Sequence, residues 1–328
     1  MIRPNRSSAV ANPSLAVDRD DFERLAEPLV RALRLHCYRL VGSLEDAEDM
    51  VQETLVRAWR NRERLRDEGG ARPWMFRIAT NACLDLLDRK RRRPTATLDV
   101  ELGWPDPLPE TWIATGQGGS DPVESVLRRE TVGLAFLTAV QLLPPRQRAM
   151  LVLRDVLDWP AADVAEALST SVVAVYSGVR RAREALRVRA PRPSRDTLPA
   201  IDQADALAVA RRYHDAWERA DTAELARLLA ADARMAMPPD PRVFNGAEAI
   251  IGQFASMFGQ PPAQQIRLAP TSANGQPAFI VLGPDQSSGA LRRIGLKVLL
   301  VRDGSIVEIR GYMRADLAAR FEAIPDGR

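Results

Sequence analysis

The stretch RIATNACLDLLDRKRRR, residues 77–93, decides how the first part of the chain is read. On a helix, Ile78, Ala79, Ala82, Cys83 and Leu86, with Met75 just upstream, recur at i, i+3 and i+4 and form one apolar face. Arg77, Thr80, Asn81, Asp85 and Asp88 fall opposite. Alone, that is a core helix with a solvated side. The run Arg89, Lys90, Arg91, Arg92, Arg93 shifts the reading, because five adjacent like charges repel unless an anion compensates, and phosphate backbone is the usual anion. Asn and Thr side chains ahead of such a cluster can exchange hydrogen bonds with base edges.

Immediately upstream, SLEDAEDMVQETLVRAWR (43–60) is a second amphipathic helix. Leu44, Ala47, Val51, Leu55 and Ala58 form its buried stripe. Asp46, Asp49, Gln52 and Glu53 make the other face acidic and amidic. Acids turned towards phosphate oppose DNA binding, so this face meets either a basic protein surface or plain solvent.

Downstream, residues 95–125 are rich in Pro and Gly and read as a linker. Helical periodicity resumes over 126–189. Within it, LPPRQRAMLVLRDVLDWPAADVAEALSTSVVAVYSGVRRAREAL (143–186) gives a short helix, a tight STS turn and a longer basic helix, the order of a helix-turn-helix. Val172, Val175, Val179, Ala182 and Leu186 face inward on the last helix. Tyr176, Ser177, Arg180, Arg181 and Arg183 are left outward for a major groove. Gly178 inside this helix costs about 1 kcal/mol relative to alanine, either for close approach to DNA or simply as a weak point.

A second break over 190–202 precedes a change of texture. From about 203 to 328 come the helical stretches ADALAVARRYHDAWERA, TAELARLLAAD and AEAIIGQFASMF, then the strand-like PAFIVLG, LRRIGLKVLLV and SIVEIRGYM. Asp303-Gly304 joins the last two as a hairpin turn. The expected class is therefore multidomain: two all-α helical domains, then an α+β domain with a curved antiparallel sheet. The expected boundaries are a disordered leader at 1–20, helical domains at 21–94 and 126–189, and the last domain at 203–328.

The 328 residues carry a net charge of only +3 with a pI of about 9.2, so charge distribution says more than the total. Two cysteines, Cys37 and Cys83, and two histidines, His36 and His214, supply no disulfide framework and no zinc-ligand spacing, so neither metal nor cofactor is expected. No apolar run has the length of a signal peptide or membrane span, and a cytoplasmic protein that avoids membranes is expected.

The stretches DAEDMVQETLVRAW and RPWMFRIATNACLDLLDRKRRRP closely resemble region 2 of bacterial RNA polymerase sigma factors of the extracytoplasmic-function class. The resemblance implies that Asp46, Asp49, Gln52 and Glu53 dock on the clamp coiled coil of the largest polymerase subunit. It implies that Arg77, Thr80, Asn81 and the basic run Arg89 to Arg93 face the −10 promoter element, and that the 62–74 loop holds a flipped-out base. The helix-turn-helix resembles region 4 of the same class, so Tyr176, Ser177, Arg180, Arg181 and Arg183 would read the −35 element. Core RNA polymerase and promoter DNA are the implied partners.

The stretches MPPDPRVFNGAEAI (237–250) and LAPTSANGQPAFIVL (268–282) resemble the SnoaL-like extension carried by a subset of these factors, a cone built on a curved sheet. A cone lined by Tyr213, His214, Trp217, Met235, Met237, Phe244 and Phe254 would take a small apolar ligand, and the domain would modulate the sigma module through tethering. His214 and Asp215 are the only candidate bases, so no catalytic residue is assigned. Two other readings stay open: a helix-turn-helix regulator acting without polymerase, and a cyclase- or isomerase-like enzyme.

Overall fold

The computed structural model describes residues 18–65, 70–92, 104–113, 134–189, 203–237, 242–259, 265–285 and 288–324. Arg93, the expected leader up to residue 17 and residues 66–69 of the 62–74 loop lie outside them. In chain order the described helices are α1 (Arg19–Val41), α2 (Leu44–Arg60), α3 (Ala71–Arg92), α4 (Glu110–Ile113), α5 (Leu134–Gln141), α6 (Pro145–Leu151), α7 (Ala161–Ala167), α8 (Val172–Arg189), α9 (Gln203–Glu218), α10 (Thr222–Leu228), α11 (Ala247–Phe258) and α12 (Ala315–Ala318). The strands are β1 (Leu229–Ala236), β2 (Val243–Asn245), β3 (Arg267–Ala273), β4 (Gln276–Pro284), β5 (Leu291–Arg302) and β6 (Ser305–Tyr312). They divide into two compact units, one drawn from 1–92 and 149–179, the other from 93–148 and 180–328.

In the first unit α1, α2 and α3 pack as a three-helix bundle. The Asp18 carboxylate caps α1 by accepting from the Asp21 N–H, and Ser43 caps α2 by accepting from the Asp46 N–H. Gly42 ends α1 in the left-handed region (φ 77) and donates to the Tyr38 carbonyl. Leu33, Cys37 and Leu40 from α1, Leu44, Ala47 and Val51 from α2, and Met75, Ala79 and Cys83 from α3 fill the centre. Cys37 and Cys83, distant in sequence, are buried thiols of α1 and α3; burial first, then Cys37, holds the Cys83 thiol well above its ordinary range. The unit also contains α7, the π-helical turn Val152–Val156 and the start of α8.

The second unit is built on a six-stranded sheet in the order β2-β1-β6-β5-β4-β3. Four neighbouring pairs are antiparallel, but β1 and β6 run parallel, so the sheet is mixed rather than wholly antiparallel. The partners β1 and β6 lie about seventy residues apart, beyond the reach of any local pattern. Register shifts in the β4–β5 and β5–β6 pairs mark irregularities of the kind that bend a sheet. Both Asn274-Gly275 and Asp303-Gly304 have positive φ at the two turn positions, the twist that tight hairpins need.

Helices α9, α10 and α11 cover one face of this sheet; Tyr213, Trp217, Phe254, Met235, Phe279 and Leu299 belong to the core between them. The other face carries a strap. Trp104 to Pro109 are all buried, although they fall in the expected 95–125 linker. Leu108 N–H donates to Asn274 Oδ1 (2.8 Å), and Asn274 N–H donates to the Leu108 carbonyl (2.9 Å). Tyr312 Oη donates to the Pro105 carbonyl (3.2 Å), and Arg314 pairs with Asp106 (2.9 Å). Among the described residues no helix is long and apolar enough to cross a membrane.

Candidate functional site

Three groups of residues singled out in the sequence can be located. The first is the polar side of α2. Glu45, Asp49, Gln52, Val56 and Arg60 are exposed and follow one another at i, +4, +7, +11 and +15, a continuous stripe along the helix. Asp49 and Gln52 therefore lie where the sequence puts them. Asp46 and Glu53 sit at its edge and are engaged within the bundle. Asp46, with a side chain only 18% exposed, pairs with Lys90 at 2.5 Å, and Glu53 accepts from Arg57 at 2.7 Å. Arg57 also reaches Asp85 on α3 at 3.0 Å. Leu55, expected in the buried stripe, is only half-buried, and Met50 and Thr54 take its place.

The second group is on α3. Arg89, Lys90, Arg91 and Arg92 form an exposed basic end, and Lys90 spends part of that charge on Asp46. Arg77 and Asn81 are half-buried on the outer side, where each meets the α7 segment. Arg77 Nη1 donates to Glu166 Oε1 at 2.6 Å, and Asn81 Nδ2 donates to the Ala167 carbonyl at 3.3 Å. Thr80 departs from the expectation. It is fully buried, donating to the Phe76 carbonyl (2.7 Å) and accepting from His36 Nε2–H (2.8 Å). Burial, and secondarily Arg39, hold His36 down to about 3, so its imidazole is neutral. Thr80 thus joins a polar pair inside the bundle, because α1 covers the side of α3 that a single-helix projection leaves outward. Phe76, buried beside it, was absent from the expected stripe.

The third group is on α8. Ser169, with φ 49, makes the left-handed step between α7 and α8, and Ser171 Oγ accepts from the Ala174 N–H to start α8. Val175, Val179 and Ala182 are buried, while Tyr176, Arg180, Arg181 and Arg183 are exposed and Ser177 is half-buried. Val172 and Val173 are exposed at the helix start, 40% and 73%; Val172 was expected inward. With Tyr176 they give the N-terminal turn an apolar surface suited to thymine methyl groups. Gly178 faces inward, and a Cβ there would overlap the buried Met150 sulfur. Helix packing, not DNA approach, demands the glycine.

In the C-terminal cone, Tyr213, Trp217, Met235 and Phe254 lie in the core, with Met237 and Phe244 partly buried against it. His214 lies at the margin: its ring stacks on Phe279 and Nε2–H donates to the Leu268 carbonyl (3.0 Å). Asp215 is exposed. Neither is aimed into the interior as a base would be. The charged group that does face the interior is Lys297 of β5, which sequence reading missed. It is 3% exposed, its Nζ lies 3.6 Å from the Trp217 ring centroid, and it donates to Tyr213 Oη (3.2 Å). Burial lowers its pKa to about 7.

Comparison with known proteins gives concordant matches. Residues 25–93 match Sigma-70 region 2, residues 133–186 match Sigma-70 region 4, and residues 210–309 match the SnoaL-like domain. The chain is 42% identical over 274 residues to the ECF RNA polymerase sigma factor SigG of Mycobacterium tuberculosis, which covers 79% of this chain and 73% of that protein. It is 28% identical over 172 residues to the ECF RNA polymerase sigma factor SigW of Bacillus subtilis, covering 52% of this chain and 89% of that one. Among solved structures, the extracytoplasmic function sigma factor SigJ of Mycobacterium tuberculosis superposes with a TM-score of 0.60 at 25% identity, covering 92% of this chain and 98% of that one.

Proposed function

The chain belongs to the extracytoplasmic-function sigma factors of bacterial RNA polymerase, and on that premise we propose that it binds core polymerase through α2, selects promoters through α3 and α8, and is modulated by its own SnoaL-like domain. In this reading residues 21–94 act as region 2, 126–189 as region 4 and 203–328 as the modulator. The polymerase and promoter it serves are cytoplasmic.

The observation that carries the reading is the exposed stripe on α2. A helix whose outward positions are Glu45, Asp49 and Gln52 gains nothing from DNA and suits a basic protein surface. The basic end Arg89 to Arg92 then serves phosphates, with Arg93 as its next charge, while Arg77 and Asn81 serve bases of the −10 element. Thr80, being buried, acts on that helix only through His36 and the bundle. Tyr176, Ser177, Arg180, Arg181 and Arg183 serve the −35 element. Arg77 and Asn81 must leave Glu166 and Ala167 before they can meet DNA. An exposed pair of this kind is worth about 0–1 kcal/mol, so the step is inexpensive.

Modulation by the C-terminal domain is supported by the strap, since residues 104–113 lie between the region 2 and region 4 matches and are bonded to the SnoaL-like sheet. Arg310 of β6 also donates to Thr138 on α5, at the start of the region 4 match (2.9 Å). A ligand held in the cone would act through these contacts.

The test is holoenzyme assembly with Asp49→Arg. Reversal of an exposed charge leaves the fold intact, so the variant should keep its circular dichroism and melting temperature while losing association with core polymerase on gel filtration. Unchanged assembly would show that α2 is not the docking helix.

A further inference from the structure

We propose that the interior of the SnoaL-like cone, at Lys297, binds a small aromatic carboxylate. This deepens the reading of that domain as a modulator and rests on it only for the effect on transcription.

A lysine ammonium offers three donors. At Lys297 one is used, on Tyr213 Oη, and among the described residues the other neighbours of the Nζ are aromatic rings, with no carboxylate paired to it. Tyr213 Oη receives that bond, and its own O–H finds no acceptor among the described residues. Burial raises the phenol's pKa, so the proton stays on. With the amine protonated, two buried donors thus converge with no acceptor between them. The Trp217 face at 3.6 Å, with Phe254 and Tyr213 at 5.4 and 5.6 Å, recovers only part of the cost of desolvating an ammonium.

A carboxylate supplies the two missing acceptor oxygens in charge-assisted form. An aromatic body fits the walls of Trp217, Phe254 and Phe279. A wholly apolar ligand, the expectation from sequence, leaves both donors unmet. A phosphate ester sets a strongly hydrated dianion against aromatic rings.

Room for a ligand would come from Met237. Across the ladder from Lys297 stands Gly311, whose side of the sheet is occupied by Met237; a Cβ on Gly311 would overlap the Met237 side chain. Met237 is only partly buried, and an unbranched thioether repacks easily. Displacing it would free the space over Gly311, the residue paired with Lys297.

The same geometry sets a pH signature. Facing Lys297 are Tyr213 and Trp217 from α9, Phe254 from α11, Phe279 from β4 and Gly311 from β6. His214, also on α9, is turned onto Phe279 and bonded to Leu268. Lys297 is the charged group at the centre of these, and its free amine titrates at about 7. A bound carboxylate favours the ammonium, so affinity is highest below that pH and weakens above it.

The experiment is isothermal titration of the full chain with benzoate and 2-naphthoate, against benzamide and 2-naphthamide as uncharged isosteres. The carboxylates should bind at least about tenfold more tightly than the amides. Their Kd should rise by about tenfold per pH unit above roughly pH 7. Lys297→Met, which keeps the volume and removes the charge, should abolish that pH dependence. Tyr213→Phe should weaken carboxylate binding more than amide binding, a second readout should Lys297→Met fold poorly. Equal affinity for amides, unaltered carboxylate binding in Lys297→Met, or no binding of either carboxylate at millimolar concentration would each overturn the proposal. Binding as described with no effect on transcription would leave the site standing and remove the modulatory reading.

Discussion

Asn274→Ala tests the strap that ties the segment between the two sigma regions to the SnoaL-like sheet. Asn274 Oδ1 is the acceptor for the buried Leu108 N–H, and the residue itself sits at φ 54. Alanine removes the acceptor, which strands a buried donor at about 1–3 kcal/mol. It also places a side chain that prefers negative φ in the left-handed region, adding about 1 kcal/mol. Asn274→Gly loses the same acceptor but relaxes the backbone, so its cost is the first term alone. If the loss is borne by local opening of the strap, the open population rises by roughly 30- to 1,000-fold for 2–4 kcal/mol in the alanine variant. The assay is hydrogen–deuterium exchange of peptides spanning 104–113, with peptides from α1 and α2 as internal reference. Faster exchange confined to the strap, larger for Ala than for Gly, is expected. Unchanged exchange in Asn274→Ala, or greater loosening by Gly than by Ala, would refute the argument.

Two further predictions concern the fold that presents the interfaces. Gly178→Ala adds about 1 kcal/mol of helix propensity but drives a Cβ into Met150 at about 1–3 kcal/mol; urea unfolding should show a net loss, and in a Met150→Ala background the same change should stabilise. Two buried bases make stability pH-dependent. His36 titrates at about 3 when folded against 6.5 unfolded, and Lys297 at about 7 against 10.5. In both cases the unfolded chain binds more protons within the window, so stability rises with pH across each, by on the order of 5 kcal/mol per group. Urea unfolding midpoints against pH should flatten between roughly 3 and 6.5 in His36→Gln, and between roughly 7 and 10.5 in Lys297→Met.

How much of this was readable beforehand depends on whether one face of an element suffices to describe it. The helices α2 and α8 each bury one stripe, so periodicity found Asp49, Gln52, Arg180 and Arg181 on the outer side. Thr80 was misplaced because α3 is covered on more of its circumference than a single stripe describes, and a threonine can close its hydroxyl on the carbonyl four residues back. The helical stretch TAELARLLAAD runs through LAAD (229–232), because alanine favours helices, whereas pairing with β2 and β6 makes LAADARMA strand β1. Lys297 escaped notice for a related reason. In IGLKVLLV a lysine reads as the solvent side of a half-buried strand, but residues 295–299 of β5 are buried on both faces and α9 and α11 cover the Lys297 side, so the lysine is buried. The strap itself is Pro-rich, which signals a loop without indicating what it rests on.

The central claim is that this chain directs polymerase to promoters, and run-off transcription tests it most directly. Core polymerase with the purified full-length chain would be offered a library of random upstream sequences, and initiating templates would be selected and sequenced. The account predicts initiation from templates sharing two sequence elements at a fixed spacing, with none from core polymerase alone or from the Asp49→Arg holoenzyme mixture. Absence of initiation from every template, or equal initiation with Asp49→Arg, would contradict it.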